Sequence, residues 1–151
     1  MTYTKQMQEI VSKYVKAKQP WPATSRAIAA WAIRNDLWEP HPSTVINQCA
    51  DQISKAMRED YIVDPQGRTV RAKHAARILS QGKQTTFWAD IRTASPQHMK
   101  IAFQQRRQQI VGDCGQLKSD LDSYNQNKNE GEPIRIVFDF TQDIEEIEGA
   151  A

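Results

Sequence analysis

The sequence predicts a mainly helical fold with a small β component, and three observations carry that prediction. Apolar residues recur at helical spacing, such as i, i+3, i+4 and i+7, in segments that cover about half of the 151 residues, the spacing of one helix face. The period changes in two short stretches, at 61–71 and 134–140, which read as strands. Glycine and proline number only 6 and 7, too few for a turn-rich sandwich.

The elements follow in order. Met7, Ile10, Val11, Tyr14 and Val15 form one apolar stripe on a first helix over about Thr4 to Lys18. The run Gln19-Pro20-Trp21-Pro22 stops it, because proline cannot continue a helix and biases the residue before it away from one. Thr24 or Ser25 caps a second helix that buries Ala27, Ile28, Trp31, Ala32 and Leu37. The rigid turn Trp38-Glu39-Pro40-His41-Pro42 follows. Ser43 then caps a third helix to about Glu59, with Ile46, Cys49, Ala50, Ile53 and Met57 as its core face. Tyr61-Ile62-Val63 and Arg68-Thr69-Val70-Arg71 pair as a hairpin about Asp64-Pro65-Gln66-Gly67. Asp at i, Pro at i+1 and Gly at i+3 suit a type I turn.

Residues 79–94 read as a linker between an N-terminal domain of residues 1–78 and a long helix in 95–128. Within it Ser80 to Gln84 looks like a loop, and Phe87 to Ile91 a short helix or strand. Ser95 caps the long helix, with Pro96 at its first position. Phe103, Ile110, Leu117 and Tyr124 recur every seven residues, and Cys114 and Leu121 add to this seam, so the helix is a candidate for pairing with a second copy. Arg107 interrupts the seam, and Gly112 and Gly115 each cost about 1 kcal/mol inside a helix. The remainder, 129–151, reads as a strand, Ile134 to Phe140, and an acidic tail in which Ile144 and Ile147 are spaced for one helical turn.

Charge is distributed unevenly. The net +2 of the whole chain hides +5 in residues 1–80, +3 in 81–128 and −6 in 129–151. A basic body with an acidic end suggests a polyanion partner or a charged tail. Cys49 and Cys114, with no paired spacing, read as reduced, buried residues of a cytoplasmic protein. No stretch has the apolar length of a signal peptide or a membrane span.

The basic residues Arg68, Arg71, Lys73 and Arg77 face a single acid, Asp64, between Tyr61 and Ile78. Such a segment can neutralise phosphates and release their counterions. Thr44, Asn47 and Gln48 lie near the start of the third helix, with Lys55 further along it. Asn and Gln can pair with adenine, and Thr can touch a thymine methyl. Ser43 and the helix N-terminus can meet a phosphate. Helix, helix, turn, helix and basic hairpin is an order in which residues 4–76 resemble the winged helix-turn-helix superfamily of DNA-binding domains. The resemblance implies a reading helix at Ser43 to Glu59, a wing at Tyr61 to Arg71 and double-stranded DNA as partner.

Catalytic signals are absent from the sequence. His41, His74 and His98 share no metal-ligand spacing, and there is neither a Gly-rich phosphate loop nor a nucleophile elbow. Asp139, Asp143, Glu145 and Glu146 read as a solvated tail. The expectation is a sequence-dependent DNA-binding protein of regulatory or mobile-element type, such as a transcription regulator, and a homodimer. It uses no cofactor or metal and is not an enzyme. The competing expectation is a helical adaptor that binds a protein partner through its tryptophans. A further idea is that the tail from Glu132 onward masks the basic face.

Overall fold

The computed structural model describes residues 2–150, which are mainly helical with a small β component. Two units divide the chain, residues 1–54 and 55–151. Among the described residues no helix is long and apolar enough to cross a membrane.

In the first unit, α1 (Tyr3–Lys16) begins where Thr2 Oγ1 accepts a hydrogen bond from Lys5 N at 3.1 Å. Helix α2 (Ser25–Arg34) begins at Thr24, whose Oγ1 accepts from Ala27 N at 3.1 Å. Each cap satisfies an amide that the first helical turn leaves without a partner. The two helices bury Ile10, Tyr14 and Ala32. Tyr14 meets Trp31 edge-on at 5.4 Å and donates its hydroxyl to Pro20 O at 2.7 Å. An aromatic body with its polar tip satisfied is a stable way to fill a small core.

Helix α3 (Thr44–Arg58) forms where expected but buries no residue. Its expected core face is not a core: Ile46 is 74% exposed and Ile53 52%, Cys49 and Ala50 are exposed, and Met57 is half-buried. Amphipathic spacing specifies which side of a helix is apolar, not what covers it.

In the second unit, β1 (Tyr61–Val63) pairs antiparallel with β2 (Thr69–Arg71), in register Tyr61 with Arg71. Asp64 organises the turn. Its carboxylate accepts from Gln66 N at 3.0 Å and from Arg68 N at 2.8 Å, and its carbonyl accepts from Gly67 N at 3.0 Å.

The expected linker at 79–94 is instead largely a hairpin. Strand β3 (Lys73–Ser80) pairs antiparallel with β4 (Lys83–Asp90), from Lys73 opposite Asp90 to Ser80 opposite Lys83. The two residues between them, Gln81 and Gly82, have φ of 50° and 77°. Positive φ at both central positions is the two-residue turn whose twist suits a hairpin. The polar run Ser80 to Gln84 therefore holds a tight turn and two strand ends.

Ala72, His74 and Ala76 alternate as the buried face of the segment, the first and last fully covered. Helix α4 (Pro96–Asn127) packs on β3 and buries Ala102. It starts at Ser95, whose Oγ accepts from His98 N at 3.1 Å. His74 stands edge-on to Phe103 at 5.3 Å.

The expected C-terminal strand does not form. Residues 134–140 have no ladder partner and run back beside α4. They are tied there by Asn125, whose side chain donates to Ile134 O at 2.8 Å and accepts from Ile134 N at 3.1 Å. Alternating apolar residues favour extended backbone, but a strand also needs a sheet edge, and here a side-chain amide stands in for one. The acidic end forms α5 (Thr141–Gly149), longer than the single turn expected and exposed throughout.

Candidate nucleic-acid interface

Strand alternation builds the basic surface of the second unit. In β2 and β3, Arg71, Lys73, Ala75 and Arg77 fall at odd positions, opposite in facing to Ala72, His74 and Ala76. Their cross-strand neighbours are Asp90 for Lys73, Trp88 for Ala75 and Thr86 for Arg77. Helix α4 brings Gln105 and Arg106, and the end of α3 brings Arg58. The result is a groove of about 660 Å³ lined by Arg58, Arg71, Lys73, Arg77 and Arg106, together with His74, Trp88, glutamines and small residues. No carboxylate is among its lining residues.

The basic groups differ in how free they are. Lys73 Nζ lies 3.0 Å from an Asp90 oxygen and 3.3 Å from an Asp60 oxygen. Hydrogen bonds to Asp90 and then to Asp60 raise its pKa. Arg92 holds the same Asp90 at 2.7 Å, and Asp90 is driven far below the ordinary carboxylate range, by Arg92 first and Lys73 second. Arg68 is likewise engaged, its Nε 2.8 Å from Asp64 Oδ2. Among the described residues, Arg58, Arg71, Arg77 and Arg106 make no ion pair.

Arg106 lies close to a second cation, Arg71. Burial, and next the charge of Arg71, push its guanidinium below the ordinary arginine value. Two cations that repel each other with no carboxylate between them favour an anion in the groove. Arg58 instead stacks over Trp88, 5.6 Å from the ring centroid, a cation–π contact that holds the guanidinium at the groove wall.

Side chains of α4 fix the strand beneath the arginines. Gln105 accepts from Arg77 N and donates to Arg77 O, both at 2.7 Å. His98 Nε2 lies 2.9 Å from His74 O, and His74 Nε2 2.8 Å from Arg71 O. The edge of β3 is thus held by a helix rather than by a third strand.

Of the residues expected to contact DNA, Arg71, Lys73 and Arg77 meet in this groove, and Arg68 sits in the β1–β2 turn. Ser43, Thr44, Asn47 and Gln48 belong to the first unit, Thr44 half-buried and the others exposed. Ser43 Oγ is 2.8 Å from His41 Nδ1. Lys55 is exposed on α3. Sequence reasoning missed Arg58, Trp88, Gln105 and Arg106. One signal was available: the first sixteen residues of α4, Pro96 to Val111, contain Lys100, Arg106 and Arg107 and no acid. Against protein-family models, curated proteins and solved structures alike, the chain finds no match.

Proposed function

We propose that the chain binds double-stranded DNA, with the groove of the second unit taking the phosphate backbone. The observation that carries this reading is the gathering of Arg58, Arg71, Arg77 and Arg106 in one groove without a carboxylate in its lining. Neutralising phosphates with such groups releases counterions, and the four groove arginines contribute roughly −3.6 to the salt slope, to which Lys55 adds. Thr44, Asn47 and Gln48 are the residues proposed for base edges, with Ser43 and Lys55 supporting the backbone contact. The winged-helix-like reading of residues 4–76 rests on the order of three helices and a hairpin. A regulatory or mobile-element role follows from the same reading.

The test is fluorescence anisotropy of the whole chain on labelled duplexes across a salt series. Submicromolar binding at low salt with the slope above supports the proposal. Absence of binding at low salt rejects it.

A second reading is favoured by one observation, the exposed apolar side of α3. Ile46 and its neighbour Val45, 76% exposed, form a surface that suits a protein partner of a helical adaptor. An Ile46→Glu variant that keeps DNA binding but loses a protein partner would support that role; one that loses neither would count against it.

A further inference from the structure

We propose that α4 pairs with α4 of a second copy, and that the two helices run antiparallel. This goes beyond the nucleic-acid reading and does not depend on it.

The seam is uncovered in the single chain. Phe103 is 49% exposed, Ile110 52%, Leu117 44% and Tyr124 50%. Beside it, Phe138 and Phe140 of the returning segment border an open groove of about 590 Å³ with Phe103, Ile110 and Cys114. The apolar face thus extends from the helix onto the segment laid against it, with Arg106 and Arg107 also at the groove. A face of this kind on a long helix is what coiled-coil partners cover.

Charge selects the occupant and its direction. The first half of α4, residues 96–111, carries Lys100, Arg106 and Arg107 and no acid. The second half, residues 112–127, carries Asp113, Asp120 and Asp122 against Lys118 alone. A parallel pair in register sets basic half on basic half, with Arg107 meeting its own copy in the seam. An antiparallel pair sets each basic half against an acidic half, the complementarity that determines helix orientation. With the twofold axis at Ile110, Ile110 meets itself and Phe103 lies level with Leu117 of the second copy.

The whole chain tests this in two ways. Sedimentation equilibrium at about 100 µM should give a dimer, and a monomer there overturns the proposal. The exposed double variant Asp113→Lys, Asp120→Lys makes both halves basic. Antiparallel pairing then weakens by at least about ten-fold, whereas parallel pairing, which opposes like charges in either chain, changes little. Direction is read separately with Cys49 and Cys114 replaced by serine and a linker of about 10 Å reach. A mixture of Phe103→Cys and Leu117→Cys chains should cross-link, while Phe103→Cys alone should not, since its two copies would stand about 21 Å apart along the axis. Cross-linking of Phe103→Cys to itself overturns the antiparallel arrangement. Should either cysteine variant fail to fold, the lysine variant decides.

Discussion

Gln105 of the long helix makes two hydrogen bonds with Arg77 of β3, one to its amide and one to its carbonyl, each 2.7 Å. A side-chain amide has the donor and acceptor of a peptide group, so it can occupy the place of a neighbouring strand. The pairing fixes the backbone of a residue whose side chain lines the basic groove. Gln105→Ala should therefore cost about 1 kcal/mol, read as a lower urea midpoint at unchanged slope. Gln105→Glu keeps only the acceptor and should fall between the two. A stability unchanged in both variants would remove this contact from the account.

The arginines should not contribute equally to DNA binding. Arg71→Ala and Arg106→Ala each remove an unpaired cation, so each should reduce the steepness of the salt dependence by about 0.9. Arg68 is engaged by Asp64, and Arg68→Ala should reduce the steepness by less than half as much. Anisotropy titrations of the three variants across salt make the comparison; equal effects would mean that the turn ion pair opens when DNA binds.

Acid should loosen both hairpins of the second unit. Asp90 and Asp64 are held below the ordinary carboxylate value of 3.8. A carboxyl whose folded pKa is depressed contributes stability above its unfolded pKa and loses it as pH falls toward the folded value. The decline should begin below about pH 4.5 and continue downward. Asp90→Asn should be less stable at neutral pH and flatter across that acidic window. Thermal melts between pH 2 and pH 7 check both; parallel curves for variant and parent would contradict the assignment.

Base contacts should behave differently from phosphate contacts. Asn47→Ala and Gln48→Ala should lower the ratio of specific to random-duplex affinity while leaving the salt slope in place. A selected-sequence binding experiment with the parent chain supplies the specific site. Equal losses on all duplexes would move these residues from base edges to the backbone.

Much of the helical framework was readable from local rules. Thr24 and Ser95 act as caps, and the Asp64 turn forms with the residues that its type requires, because such signals depend on a few adjacent residues. The β3–β4 hairpin was obscured because its turn is only Gln81-Gly82 and the strand ends beside it are polar. The segment 134–140 misled in the opposite way: its alternation is real, but pairing depends on a sheet edge that local spacing does not encode. The basic site was half legible for a related reason. Arg71, Lys73 and Arg77 share a strand face and could be read together, whereas Arg58 and Arg106 reach it through tertiary packing of separate helices.

The most direct test of the central claim follows the arginine Nε–Hε signals by NMR as duplex DNA is added. The signals of Arg58, Arg71, Arg77 and Arg106 should shift together with increasing DNA, while that of Arg92, bound to Asp90, stays nearly fixed. Shifts confined to other arginines, with those four unmoved at saturation, would contradict a phosphate-binding groove in the second unit.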